Sequence, residues 1–366
     1  EDLAILQLQA QGITSDDLLI GLSASGESPF ITAAVSWAQD HSTHKPWFLH
    51  SNPQAQLLSR NPQHVLASDQ VMGLDLTVGP MALTGSTRLQ ATTAQWLAMA
   101  RGLLFDHDTW PLGALIQAWG QQDLGNLQAL IEHEAGVYQA GRKVVYQVPM
   151  EMALVALSDI TERSPTFNLS PLDHARDLKK GRQSLCAFKI KGAEDVNTAW
   201  SLMLGRDPVA LSWPEFEETA PAYLSGFDLT CIPQEHEVIN FTLNEHCLCA
   251  HFNGQSIRVK LPPSSTTRPM VGDFERQLWL KVIFNMHSTL LMGRLGYYEG
   301  NLMTQLKPSN HKLIDRAVRY VLFKLKQQGI KEFDYQSVAY LVLKMRKELE
   351  PGQSIVTRVY ELLTNQ

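Results

Sequence analysis

The stretch DDLLIGLSASGESPFITAAVSWAQDH, residues 16–41, reads as strand, loop and helix in direct succession. Leu18 to Leu22 is a short apolar run bounded by a turn, the pattern of a buried parallel strand. Ser28 and Pro29 then form a helix start, because serine is a favoured N-cap and proline is tolerated at the first helical position. Phe30, Ile31, Ala34, Val35 and Trp37 continue the helix. Working outward, KPWFLHSNP (45–53) is a second strand with its turn and LDLTVG (74–79) a third. Strands alternating with helices predict an α/β fold with a doubly wound parallel sheet, whose ligands gather at the carboxyl ends of the strands.

Beyond residue 113 the pattern repeats in a second α/β unit. A helical stretch covers 113–141, KVVYQV (143–148) is an apolar strand, and CLCAHFNGQSIRVKL (247–261) is a hairpin with Asn253-Gly254 as its turn signal. From Asp273 onward nearly everything reads as helix, with Pro351-Gly352 separating the last two segments. STTRPMVGDFERQLWL (265–280) faintly echoes GSTRLQATTAQWLA (85–98), each with Thr-Arg ahead of a Gln-bearing helix.

The chain has 366 residues, enough for two or three domains and a substantial core. Net charge is −6 with no basic block, which argues against a nucleic-acid partner. Four cysteines are too few for a disulfide scaffold and suit a reducing cytoplasm. The longest apolar runs fall short of a membrane span, and no signal peptide is visible. The first residue is Glu1 rather than Met, so an upstream segment is expected.

Three stretches carry candidate chemistry. In SASGES, the residues Ser23, Ser25, Gly26 and Ser28 lie between a strand and a helix N-terminus, where unpaired N–H groups and the helix dipole favour an anion. Such a loop either holds a phosphate or only caps the helix. In TGSTR, Thr84, Ser86 and Thr87 are placed to cap or to donate, and Arg88 to fork onto an anion or to sit exposed at a helix start. In KPSNHKLIDRAV, Ser309 is a candidate N-cap, and Lys312 and Arg316 are spaced i, i+4 on one helix face beside Asp315. Two further sets read as decoys. Cys247, Cys249 and His251 share one face of a strand, a poor geometry for tetrahedral metal, and no metal or other cofactor is expected. Glu151, Asp159 and Glu162 fit a helix with acids on its exposed side.

Together these stretches resemble the family that unites the N-acetylmuramic acid 6-phosphate etherases and the glucokinase regulatory protein, both built on sugar isomerase (SIS) domains. The family pattern Gly-Pro-Glu-x-x-x-Gly-Ser-Ser/Thr-Arg-x-Lys falls on GPMALTGSTRLQ (79–90), GLSASGESPF resembles its phosphosugar loop, and GYYEGNLMTQLKPSNHKLIDRA (296–317) resembles its GNxM…SNxKLxxRA segment. The layout is similar to the regulatory protein's pair of SIS domains. It implies a first SIS domain over 1–113, N-terminally incomplete, a second over 114–306, and a C-terminal helical region over 307–366. The second domain is expected to be degenerate, because VVYQVPMEM has bulky residues where a phosphate loop needs glycine.

The resemblance implies one sugar-phosphate or amino-sugar-phosphate site built from Ser23, Ser25, Gly26, Ser28, Ser86, Thr87 and Arg88, with Asn310, Lys312 and Arg316 reaching the phosphate. Met81 stands where the family has Glu and Gln90 where it has Lys. Joint loss of an acid and a base fits a former ion pair, since either alone would be a costly buried charge. Etherases eliminate a lactyl ether with two glutamates, which the resemblance places upstream of residue 16, so no catalytic residue is carried over. The expectation is a non-catalytic binder or regulator responding to a sugar phosphate, with a sugar kinase or another protein as partner. The alternative is an etherase-like lyase or a phosphosugar isomerase.

Overall fold

The computed structural model describes residues 2–105, 110–170, 172–178, 184–208, 218, 220–308, 311–349 and 353–365. The chain forms two compact units, the first from Glu1–Pro111, Val209–Ala220 and Arg268–Phe274 and the second from the remainder. It is mixed α/β, with parallel-strand sheets and a helical C-terminal region. No helix among the described residues is long and apolar enough to cross a membrane.

The first unit begins with α1 (Asp2–Ala10) and continues as β1 (Ile20–Ser23), α2 (Pro29–His41), β2 (Trp47–His50), α3 (Gln54–Arg60), a 3-10 turn at Val65–Ala67, β3 (Met72–Asp75) and α4 (Gln90–Leu104). The three strands are parallel and lie in the order β1-β2-β3. Their register sets Ser23 beside His50 and His50 beside Asp75, so three polar residues close the carboxyl edge of the sheet. Val35, Phe48, Leu57, Leu66 and Val71 form the core beneath. Gly21 lets α2 approach β1, since a Cβ there would meet Val35 Cγ2 at 2.6 Å and Ile31 Cγ2 at 2.9 Å. The third strand, Met72–Asp75, begins before the LDLTVG stretch (74–79) and overlaps it only at Leu74 and Asp75. The Asp75 carboxylate accepts the N–H and hydroxyl of Thr77 and the N–H of Gln54, which turns the chain out of the ladder.

The second unit contains α5 (Leu112–Gly120), α6 (Leu127–Gln139), β4 (Val144–Val148), α7 (Met150–Phe167), α8 (Ala175–Leu178), β5 (Cys186–Ile190), α9 (Val196–Leu204), α10 (Pro221–Leu224), β6 (Glu237–Leu243), β7 (Cys247–Phe252) and β8 (Gln255–Lys260). Then follow α11 (Pro269–Arg294), which enters this unit at Glu275, α12 (His311–Gln327), α13 (Tyr335–Met345) and α14 (Ile355–Thr364). Its sheet has the order β5-β4-β6-β7-β8, with β4, β5 and β6 parallel and β7 antiparallel to both of its neighbours, β6 and β8. The patterning follows the physics: β4 and β5 are buried almost throughout, whereas β8 alternates toward solvent. Asn253 and Gly254 both have positive φ, 45° and 72°, which suits the right-handed twist of the hairpin they close.

One reading from sequence fails here. Asp159 is not on an exposed acidic face but 2% exposed, although Glu151 and Glu162 are exposed. Asp159 faces a buried network. Arg163 lies 3.3 Å from Asp159 and 3.5 Å from Glu134, and Glu134 accepts the hydroxyls of Tyr138 (2.5 Å) and Tyr146 (2.6 Å). Asn285 and Ser288 of α11 each donate to Asp159 at 2.8 Å, and His287 lies 3.3 Å from Glu134. Burial first, then the Glu134 charge, pushes the Tyr146 phenol well above its ordinary pKa. Burial also lowers the His287 pKa. For Arg163 the surrounding Tyr146, Asp159 and Glu134 outweigh burial, so the guanidinium stays charged.

Two stability outcomes follow from these contacts. Arg163→Met strands two carboxylates in the interior and is expected to cost about 3–5 kcal/mol in urea unfolding. A loss within about 1 kcal/mol would show that the network is not balanced by this cation. Gly21→Ala forces a methyl against two β-branched side chains of α2, and its melt should report about 1–3 kcal/mol of overpacking.

Candidate functional site

The segment from Ser23 to Ser28 joins β1 to α2 and carries four of the residues singled out from sequence. Its carbonyls are held from behind. Gly26 N–H bonds Ser23 O at 2.9 Å, Ser51 N–H bonds Ala24 O at 3.2 Å, Asn52 Nδ2 bonds Ser25 O at 2.8 Å and His64 Nε2 bonds Gly26 O at 2.6 Å. Four carbonyls of the loop are thus occupied, and its own Gly26, Glu27 and Ser28 N–H groups are engaged on Ser23 O, Ser25 Oγ and Ser23 Oγ. Ser23 Oγ accepts Ser28 N–H and Ser25 Oγ accepts Glu27 N–H, which leaves both hydroxyl hydrogens to be donated elsewhere.

Ser28 is the N-cap of α2 with Pro29 at the first helical position, as the sequence predicted, but its hydroxyl makes no capping bond. The first-turn N–H groups of Phe30 and Ile31 have no helical carbonyl to bond, because helix geometry leaves the first donors unpaired. Together with the helix dipole this makes the head of α2 chemically suited to an anion. Glu27, the one acid of the loop, pairs with Arg60 at 3.1 Å instead of adding uncompensated negative charge. Gly26 must be glycine: φ is +75°, and a Cβ would sit 2.4 Å from Leu57 Cδ1.

Next to this loop lie residues that the sequence reading treated only as a strand end and turn. His50 and Ser51 are 0% and 2% exposed, and His50 Nε2 and Ser51 Oγ have no hydrogen-bond partner. Buried groups left so cost about 1–3 kcal/mol each and call for an explanation. The available signal was positional, since a His-Ser-Asn run leaves a parallel strand at its carboxyl end. At the adjacent edge, burial works against the Asp75 carboxylate. The Thr77 hydroxyl and the N–H donors of Gln54 and Thr77 nevertheless hold its pKa below the ordinary value.

The second candidate stretch lies in the same unit. Ser86 and Arg88 are buried, Thr87 is half-buried, and Ser86 Oγ has no hydrogen-bond partner. None of Thr84, Ser86 and Thr87 is the cap of α4: the N-cap is Leu89, in helical conformation and without a side-chain cap. Arg88 is thus not an exposed arginine at a helix start. Gln90 spans the position of the missing pair, accepting Ala82 N–H at 2.6 Å and donating to Pro80 O at 3.0 Å. One amide therefore clamps the backbone on both sides of Met81, holding the loop without charge.

Lys312 and Arg316 belong to the other unit, on α12, with Lys312 exposed and Arg316 half-buried. Asp315, between them in sequence, is engaged by Arg319 and by the Tyr335 hydroxyl, each at 2.8 Å. Arg316 acts on Tyr320, where its charge offsets part of the rise that burial imposes. Asn310 and Ser309 lie outside the described residues. In this second unit β4 runs through Pro149, the N-cap of α7, straight into the helix, leaving no room for a loop like 23–28. Cys247, Cys249 and His251 line the outer face of β7. Among the described residues no group of three or more His, Cys, Asp or Glu side chains is arranged to hold a metal.

No family model matches the chain. It is 37% identical over 99 residues to a protein named N-acetylmuramic acid 6-phosphate etherase from Erwinia tasmaniensis, which covers 27% of this chain and 29% of that relative. A relative of the same name from Pectobacterium atrosepticum is 36% identical over 92 residues, or 25% of this chain and 27% of its own. The matches thus span less than a third of the length of these two relatives. A longer match, 22% identical over 233 residues, covers 59% of this chain and 76% of the etherase of Shouchella clausii. At modest identity, the chain is thus similar to proteins named N-acetylmuramic acid 6-phosphate etherase.

Proposed function

We propose that the chain binds a 6-phosphorylated amino sugar, with the phosphate seated on the 23–28 loop at the head of α2. The observation that carries this reading is the loop itself: four carbonyls occupied by internal donors, two serine hydroxyls with a hydrogen left to donate, and a helix N-terminus whose cap residue makes no side-chain capping bond. The relatives supply the sugar, since each is named for its action on N-acetylmuramic acid 6-phosphate. Within this proposal Ser86, Thr87 and Arg88 wall the pocket. Asn310, Lys312 and Arg316 enter it through the resemblance alone.

An etherase-like lyase is the reading that the relatives favour, ahead of the regulator expected from sequence. A non-catalytic regulator, with a sugar kinase or another protein as partner, rests on one specific feature: the uncharged Gln90 clamp around Met81 preserves the shape of the loop while removing an acid and a base. Incubation with N-acetylmuramic acid 6-phosphate separates the two. Free lactate appearing in the proton NMR spectrum supports the lyase, and saturable binding without lactate supports the regulator.

The binding site has its own tests. Ser25→Ala combined with Ser28→Ala should abolish the thermal stabilisation given by N-acetylglucosamine 6-phosphate, and an undiminished shift removes the loop from the proposal. Lys312→Ala should weaken that ligand but leave unphosphorylated N-acetylglucosamine unchanged. Equal loss for both would exclude a phosphate contact.

A further inference from the structure

We propose that His50 and Ser51 form a polar floor beneath the serine loop and hydrogen-bond a ring hydroxyl of the bound sugar, which makes them specificity-determining residues. The inference rests on the phosphate position proposed above and adds what reads the sugar. Register fixes the place: His50 ends the central strand β2, directly beside Ser23 of β1, at the carboxyl edge where α/β sheets receive ligands. Neighbouring strands are separated by about 4.8 Å, so His50 lies one strand away from the loop's first serine. Ser51 is closer still, its N–H being bonded to the loop carbonyl of Ala24.

The chemistry of His50 follows from its one bond. Nδ1 lies 2.7 Å from the Asn52 carbonyl, an oxygen that only accepts, so Nδ1 carries the hydrogen. In the neutral imidazole Nε2 then presents a lone pair, and it is buried with no partner. Ser51 adds a hydroxyl, also buried and unpartnered, that both donates and accepts. A lone pair beside such a hydroxyl matches the O–H of a sugar and not a second phosphate oxygen, which has no hydrogen to give. The row Ser23, His50, Asp75 is not a hydrolytic triad. His50 Nδ1 is committed to Asn52, and the Asp75 oxygens are taken by Thr77 and the Gln54 N–H.

Calorimetric titration of the full chain tests the inference with two probes, N-acetylglucosamine 6-phosphate and inorganic phosphate. His50→Phe and, as the smaller change, Ser51→Ala should each weaken the phosphosugar about tenfold, the equivalent of one hydrogen bond, and leave inorganic phosphate within about twofold. Unchanged phosphosugar affinity in both variants overturns the proposal, and so does an equal loss for both probes, which would mark loop support. In the unmutated protein, the 15N resonance of His50 Nε2 should move on adding the phosphosugar and stay put on adding phosphate. A resonance unmoved at saturation also overturns the proposal. The Ser25→Ala, Ser28→Ala protein is the control for the underlying reading: if it binds both probes normally, the phosphate position itself is wrong.

Discussion

The first unit is organised around keeping four backbone oxygens occupied. A loop that is to meet an anion must turn its carbonyls away, and each of those oxygens then needs a donor inside the protein. Here the donors come from Gly26 itself, from the exit of β2 through Ser51 and Asn52, and from His64 just before the 3-10 turn. Leu57 of α3 fills the space that a side chain at residue 26 would need. Segments far apart in sequence thus converge on six residues, and the sheet register aligns them. For the phosphate seat proposed above, loosening any one would release a carbonyl and cancel part of the favourable field at the helix head.

The second unit uses the same α/β grammar for a different end. Its β4-to-α7 junction is a single proline, shorter than the 23–28 segment of the first unit. Its interior holds a polar network in which one arginine is shared by two carboxylates and the Tyr146 phenol. The geometry of the network ties α6, β4, α7 and α11 together, while Arg163 Nε, Asn285 Oδ1 and His287 Nδ1 within it have no hydrogen-bond partner.

Much of the fold was legible because near-neighbour physics carries it. Ser28-Pro29 marks a helix start, Asn253-Gly254 a tight hairpin, and the apolar run at 143–148 a buried strand, each from a few adjacent residues. The serine loop was legible for the same reason. Asp159 was not, because its partners Asn285 and Ser288 are more than a hundred residues away and leave no local trace. Leu89 displaced the hydroxyls expected to cap α4, since the cap position depends on where the helix axis must begin to pack. Gln90 could be flagged as a departure from a pattern, but its clamp around Met81 is a matter of three-dimensional reach. His50 looked like any strand-terminal histidine until burial and an unmatched nitrogen distinguished it.

The outer strand of the larger sheet has a bearing on how copies of this protein meet. An unpaired strand edge invites another strand to dock, and like charges placed along it discourage that. On β8, Arg258 and Lys260 are exposed, and the Asn126 side chain occupies the Arg258 carbonyl. Two such margins brought side by side would set cation against cation along a row already missing an acceptor. Continuous β pairing from one molecule to the next is therefore disfavoured at this margin, and any self-association has to draw on other faces.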